Sequence, residues 1–432
     1  MPSAIVIGGG LAGLSAAAAL GSAGFKVQVF EARPFLGGRA TSFPLAPSEE
    51  GSETIDNCQH VLLRCCVNLL DFYERLGVRD RIHFYREFHF IEPGGRVSTL
   101  SRGALPAPLH FAGSFLGLRF LSIGDKIGIA RGLLALRHER TRRGDLDRIS
   151  MLDWLREKGQ TARAIERFWG QVLVSAINED VGRMAARHGF QVFWLGFLAS
   201  AEGYEMGVPA IPLGELYRAE LWHAAGDVSL RLRAPVERID AGGITAGGER
   251  HSADYYVCAV PFERLAALEL PAPAFEHSPI TGIHLWFDRA VTDLPHATLL
   301  DRTVQWMFNK SEGRYLQLVV SASRGLEAKS RGEIVALAVR ELAEFFPAAG
   351  EARLERAHVI KELRATFSPG PGTEALRPGS ETSRADLFLA GDWTRSGWPA
   401  TMEGAVRSGY LAAEAVTRAS GRPARFLLPD IA

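Results

Sequence analysis

Between Ala4 and Phe25 the chain carries no charged residue, and the apolar pattern changes character inside that run. Ala4–Ile7 is an unbroken apolar stretch, the mark of a short strand buried on both faces. From Leu11 to about Ser22 alanine and leucine dominate, which reads as a helix that Gly24 stops. Lys26–Phe30 (KVQVF) then reads as a second strand. Strand, turn, helix and strand in this order make a βαβ unit, the building block of a parallel sheet.

Further along, Cys66 to Leu76 has helical spacing and ends at Gly77. EFHFIEPGGRVSTL reads as a hairpin that turns at Pro93-Gly94-Gly95. From Ala104 to about Ser200 the pattern is mostly helical. There Ile123, Ile127, Ala130 and Leu134 share one helical face, and Ser150 with Asp153 marks an N-cap. Short strands with glycine turns fill Pro235 to Pro261, and TGIHLWFD, VQWMFN and RYLQLVVSA predict an antiparallel sheet. Ser330 to Phe346 is an amphipathic helix and Ala352 to Phe367 a strand. From Ala385 onward come a strand, a Gly-Asp turn, a loop and a helix. The fold class is therefore α/β, with an α+β part interleaved. Segments 1–80, 220–275 and 385–432 are expected to form a discontinuous Rossmann-like nucleotide-binding domain. Segments 81–219 and 276–384 are expected to form a substrate domain on the antiparallel sheet.

The turn inside the opening run gives the first chemistry. Gly8, Gly10 and Gly13 have the spacing G-x-G-x-x-G, and Glu31 ends the second strand eighteen residues later. Gly8 permits the tight turn, Gly10 lets backbone approach a pyrophosphate, and Gly13 lets helix and strand pack closely. The helix N-terminus attracts the phosphates, and Glu31 can accept from a ribose. This reading makes the run a dinucleotide cradle that stays in the mature chain, in place of a signal peptide or anchor. A second glycine turn, Gly37-Gly38-Arg39, follows closely and offers an arginine to a phosphate.

Composition narrows the class only a little. The 432 residues balance 49 Lys and Arg against 49 Asp and Glu, so nothing global points to nucleic acid. Cys58, Cys65, Cys66 and Cys258 form neither a C-x-x-C pair nor a metal-like cluster, which fits a reduced cytoplasmic setting and no metal.

The glycine fingerprint with Glu31, then Gly37-Gly38-Arg39, then LAGDW with TMEGAVRSG, resembles the FAD-dependent amine oxidase and phytoene desaturase superfamily, and these motifs frame the whole chain. A narrower resemblance, to the hydroxysqualene dehydroxylase family of bacterial hopanoid synthesis, rests on IDNCQHVLLRCCVNLLDFYERLG, FIEPGGR, LPAPLH, RFWGQVLVSAINE and GVPAIPLGELY. The resemblance implies a glutathione-reductase-type FAD-binding domain and reductive removal of the hydroxyl of hydroxysqualene, giving squalene. It implies FAD contacts at Gly8, Gly10, Leu11, Ala12, Gly13, Glu31, Ala32, Gly38 and Arg39. Val236 would meet the adenine through its backbone, Gly391-Asp392 the ribityl chain, and Thr401-Met402 the flavin pyrimidine edge.

The reaction needs a proton donor, a hydride and a dry apolar tunnel. His60 is one candidate acid, and Glu179 and Glu205 are alternatives that the sequence does not rank. Trp169, Phe193, Trp194 and Phe197 are candidate tunnel residues, though such a stripe also suits an ordinary core. The partner is an apolar isoprenoid. A desaturase or oxidase of a carotenoid precursor is the competing enzyme, and a non-catalytic prenyl-binding escort protein a third reading. GGITAGGER lacks a following helix and reads as a hairpin turn, so the electron donor, NADPH or a separate reductase, is left open. Phe111 to Leu121, followed by Arg140, Arg142 and Arg143, predicts shallow peripheral docking on the inner face of the cytoplasmic membrane.

Overall fold

Strand Ser3–Ile7, helix Leu11–Ser22 and strand Lys26–Phe30 form the opening βαβ unit, with the two strands paired in parallel. The computed structural model describes residues 1–45 and 53–431. Three remote strands complete the parallel sheet, in the order Val228–Arg231, Lys26–Phe30, Ser3–Ile7, Tyr255–Cys258, Leu387–Leu389. Ser3–Ile7 lies at its centre, which explains its unbroken apolar run. The opening helix packs against the last one, Met402–Ala419, at backbone distance. A Cβ on Gly409 would sit 2.2 Å from the Ala12 carbonyl oxygen, so only glycine fits.

A seven-stranded sheet forms the other half, in the order Leu354–Phe367, His277–Phe287, Tyr315–Ser321, Trp306–Ser311, His296–Leu299, Glu87–Glu92, Arg96–Ser101. Its pairings are antiparallel except for one parallel contact between His296–Leu299 and Glu87–Glu92. That contact joins the early hairpin to strands two hundred residues later, and no local pattern announces it. Helix Arg331–Phe345 covers one face of this sheet through Ile334, Ala338 and Leu342. The helical region of residues 112–198 covers the other through Phe168, Trp169 and Phe193. Two turns there, Ile165–Gly170 and Trp194–Leu198, are π-helical, a distortion common at functional sites. GGITAGGER is a hairpin, with Gly247 and Gly248 at positive φ.

Helix Ile123–Glu139 reverses the expected amphipathicity. Its buried face carries Asp125, Ile129, Gly132 and Leu136, while Ile123, Ile127, Ala130 and Leu134 face outward. The inward face is chosen by fit: Gly132 leaves room for Trp169, whose ring a Cβ would approach to 2.9 Å. The Phe111 to Leu121 docking stretch also needs correction. Leu118, Phe120 and Leu121 are core residues, and Arg143 is held by Glu139, Asp145 and Glu157.

Burial holds the pKa of His188, His284 and His296 down at about 3. The native state thus binds fewer protons than the unfolded chain, whose histidines titrate near 6.5. Their contribution is complete above that pH and is lost as pH falls toward 3. Each histidine adds a slope of up to ~1.4 kcal/mol per pH unit. Thermal unfolding followed by circular dichroism is expected to show Tm dropping steeply between pH 6 and pH 4. A flat Tm over that range would show that these imidazoles are not held neutral by burial.

Candidate active site

A cavity of about 910 Å³ is lined by both sheets. Its wall begins at the glycine turn. Gly8 sits at φ +110°, where other residues are strained, and a Cβ there would press on the Ala259 carbonyl at 2.8 Å. A Cβ on Gly13 would lie 1.9 Å from the Gly8 carbonyl oxygen, so this glycine sets the helix-to-strand approach and does not itself line the cavity. Gly10, Leu11 and Ala12 do line it. Gly10 faces open space, since a Cβ there would meet nothing nearer than Gly38 Cα at 3.9 Å.

Glu31 directly follows its strand, lies in the cavity wall and is fixed there by backbone. Its Oε2 accepts from the Gly9 N–H at 2.6 Å and its Oε1 from the Arg33 N–H at 2.7 Å. Each oxygen keeps a lone pair for a further donor. Ala32 and Val236 flank it. The second glycine turn lies on the first: the Gly37 N–H donates to the Gly9 carbonyl at 2.8 Å. Gly38 and Arg39 continue the wall.

Arg39 and Asp392, predicted separately, form one pair. Arg39 Nη2 meets Asp392 Oδ1 at 2.7 Å, and Nη1 donates to the Ala365 carbonyl at 2.8 Å. Burial disfavours the guanidinium charge, but the Asp392 carboxylate outweighs it and raises the pKa. The buried Arg377 was not foreseen. It donates to the Asp392 carbonyl at 3.0 Å and fixes the turn from beneath. Gly391 has no room for a side chain, because a Cβ would collide with the Trp393 indole. Thr401 caps the last helix by accepting from the Gly404 N–H at 3.0 Å, and with Met402 it points that helix N-terminus at the cavity. Glu403, also unforeseen, accepts from the N–H groups of Asn68 and Leu69 at 3.2 and 2.7 Å, capping helix Val67–Arg75. Burial pushes its carboxyl up to about 7.

The far end of the same cavity is apolar. Phe168, Phe193 and Phe197 line it from the π-helical region. Phe88, Trp306, Phe308 and Val319 line it from the antiparallel sheet. Sequence reasoning missed the sheet residues because they come from segments far apart in the chain, Glu87–Glu92 on one side and Trp306–Ser311 with Tyr315–Ser321 on the other, which only the sheet pairing brings together. Trp169 and Trp194 do not reach this wall. Trp169 is fully buried and donates to Gln160 Oε1 at 2.8 Å, and Trp194 lies under the Arg140 guanidinium at 3.9 Å.

His60 lines the cavity, and its Nδ1 lies 2.9 Å from the Cys58 carbonyl. Burial, aided by Arg39, holds its pKa below the ordinary value. A neutral ring with the proton on Nδ1 leaves Nε2 as an acceptor. The two carboxylates lie outside the wall. Glu179 is held by both Arg324 nitrogens at 2.7 and 2.8 Å, and Glu205 by Arg64 at 2.6 Å and Arg86 at 3.3 Å. Burial opposes the Glu179 charge, but Arg324, Ser368 and the Asp180 N–H prevail and lower its pKa. Both are occupied as structural anions, and neither is placed to protonate a molecule in the cavity.

A glycine-walled groove with two helix N-termini, an acid just after the second strand and an arginine suits an anionic dinucleotide. Residues 11–417 match the family model of flavin-containing amine oxidoreductases. The chain belongs to this family. It is a flavin-dependent oxidoreductase, and its cofactor is FAD. Among curated relatives, it is 26% identical to the 15-cis-phytoene desaturase of Synechococcus elongatus, over 97% of this chain and 98% of that one. It is 27% identical to a probable zeta-carotene desaturase of the same organism, over 96% and 98%. Among solved structures, a putrescine oxidase variant aligns with TM-score 0.69 at 16% identity, over 98% of this chain and 99% of that one. Cyclohexylamine oxidase from Brevibacterium oxydans aligns with TM-score 0.67 at 18% identity, over 98% and 100%. These structural likenesses establish the flavoenzyme's fold.

Proposed function

We propose that this flavoenzyme reduces hydroxysqualene to squalene. The observation that carries the reading is one continuous cavity, polar and glycine-walled at one end and aromatic at the other. A polyisoprenoid chain can fill the aromatic arm while its reacting carbon reaches the cofactor. The resemblance of DNCQH, RFWGQVLVSAINE and GVPAIPLGELY to the hydroxysqualene dehydroxylase family supports the narrower substrate. The relatives named as phytoene and zeta-carotene desaturases support the broader class of apolar isoprenoids.

Gly8, Gly10, Leu11 and Ala12 would cradle the FAD pyrophosphate, with Gly13 setting the approach of the helix, and Glu31 and Ala32 would hold the ribose side. Val236 would meet the adenine, and Gly38, Arg39, Gly391 and Asp392 the chain toward the flavin. Thr401 and Met402 would present a helix N-terminus to the pyrimidine edge. FAD, bound in its reduced form, would supply the hydride, so that alcohol, proton and hydride give hydrocarbon, water and oxidised flavin. The protein's own residues supply the rest. Phe168, Phe193 and Phe197 offer ring faces to a carbon that becomes cationic as water leaves. The apolar wall keeps bulk water from that carbon. His60 takes up a proton at Nε2 and passes it to the departing hydroxyl. NADPH or a separate reductase of the cytoplasm would recharge the flavin.

Desaturation of a carotenoid precursor is the second reading. The neutral, accepting Nε2 of His60 favours it, as do the named relatives. Direction separates the two. Under anaerobic conditions, enzyme bleached with dithionite is expected to regain its yellow absorbance, one equivalent per hydroxysqualene added. Absorbance that stays bleached, with oxidised enzyme bleaching instead on phytoene, overturns the reading in favour of the desaturase.

A further inference from the structure

Among the described residues, the outward face of helix Ile123–Glu139 has no partner. Ile123, Ile127 and Leu134 are 78%, 49% and 65% exposed, and Ala130 is exposed between them. Their spacing makes one straight stripe ~16 Å long on the helix. Leu116, 70% exposed, extends it, because Lys126 Nζ donates to the Leu116 carbonyl at 2.7 Å and ties the two elements together. Isolated exposed leucines are ordinary, but a contiguous stripe on one helix marks a surface that binds something apolar.

Charge identifies the partner. Among the described residues, Arg119, Arg131 and Arg137 on this segment have no carboxylate partner. The two acids nearby are both withdrawn. Asp125 is buried in the helix cap with Ser122, and Glu139 is bound by Lys158 and Arg143. Within this segment the face therefore presents apolar residues flanked by unpaired arginines and no free carboxylate, which complements an anionic lipid surface. The inner side of the helix packs on Trp169 through Gly132, and the preceding short helix packs on residues of the aromatic arm, Phe111 on Phe197 and Phe115 on Phe168, at ring distances of 6.0 and 5.8 Å.

We propose that Leu116 and the stripe Ile123, Ile127, Ala130 and Leu134 seat the enzyme on an anionic bilayer, inserting shallowly. This rests on the isoprenoid reading for its purpose, since such a substrate resides in lipid, but not for its physics. Of the Phe111–Leu121 stretch it keeps Leu116, leaves out the core residues Leu118, Phe120 and Leu121, and adds the outer face of the following helix.

Holoenzyme is to be floated with vesicles of phosphatidylcholine alone or with phosphatidylglycerol, at low and high salt. The expected result is binding to the anionic vesicles that weakens about tenfold in high salt. Ile127→Glu with Leu134→Glu should reduce binding at least tenfold at wild-type flavin content and unchanged turnover of detergent-dispersed substrate. Arg131→Glu with Arg137→Glu should remove the salt dependence. Leu376→Glu, an exposed leucine elsewhere, should float like the wild type. Flotation of the Ile127/Leu134 variant equal to wild type overturns the proposal. So does a lipid-free dimer that this variant dissociates, because the face would then belong to a second copy. Turnover of hydroxysqualene is measured separately in detergent, so a wrong substrate and a wrong docking face give different results.

Discussion

The Gly10→Val and Glu31→Arg variants are expected to fold and to purify almost colourless. At Gly10 the backbone is extended, with φ −81° and ψ 174°, so an L-residue is tolerated. The first added carbon meets only an ordinary contact at 3.9 Å, and the valine methyls project into the open groove. At Glu31 the change removes an acceptor and places a cation where the Gly9 and Arg33 N–H groups already point. Loss of charge-assisted hydrogen bonds costs roughly 3 kcal/mol, or about a hundredfold in FAD affinity. Flavin absorbance per protein and the melting curve together make the test. The contrasting variant is Gly13→Ala, which puts a carbon 1.9 Å from the Gly8 carbonyl oxygen and should cost fold stability first. Yellow Gly10→Val and Glu31→Arg proteins with wild-type flavin content would remove the cradle from this site.

His60→Ala is expected to keep its FAD and to slow the single turnover of hydroxysqualene by 10²–10⁴-fold, the usual range for a lost general acid. The pH profile decides whether that loss is chemical. Burial lowers the His60 pKa, so the ring is neutral at pH 7 and its acidic form appears only as pH falls. The wild-type rate should therefore rise on acidification, through a pKa below 6.5. His60→Gln, which keeps a hydrogen-bonding group but cannot cycle a proton, should be slow and flat with pH. A wild-type profile that is flat, or that falls on acidification, would show that His60 only accepts a hydrogen bond.

The glycine-walled groove was legible because its geometry is local. One turn must contain glycine at set positions, and the acid at the end of the next strand lies a fixed distance away. The aromatic arm was half legible. Phe193 and Phe197 line the arm, yet Trp194 directly follows Phe193 and Trp169 directly follows Phe168, so each tryptophan is turned roughly 100° around its helix from the lining phenylalanine. The sheet half of the arm came from pairings such as His296–Leu299 with Glu87–Glu92, which no short-range pattern encodes. Glu179 and Glu205 were misleading for an electrostatic reason. Their arginine partners, Arg324 and Arg64, lie far away in the chain, so the sequence could not reveal that both acids were already neutralised. The stripe of Ile123, Ile127, Ala130 and Leu134 was seen, but periodicity identifies a face without saying whether protein or something else covers it.

The most direct test of the central claim is the fate of hydrogen in one turnover. Reduced enzyme equilibrated anaerobically in D₂O exchanges the transferable flavin hydrogen, so hydroxysqualene should become squalene carrying one deuterium, at the former carbinol carbon. Squalene without deuterium, recovered hydroxysqualene, or a conjugated polyene formed from phytoene by the oxidised enzyme would contradict it.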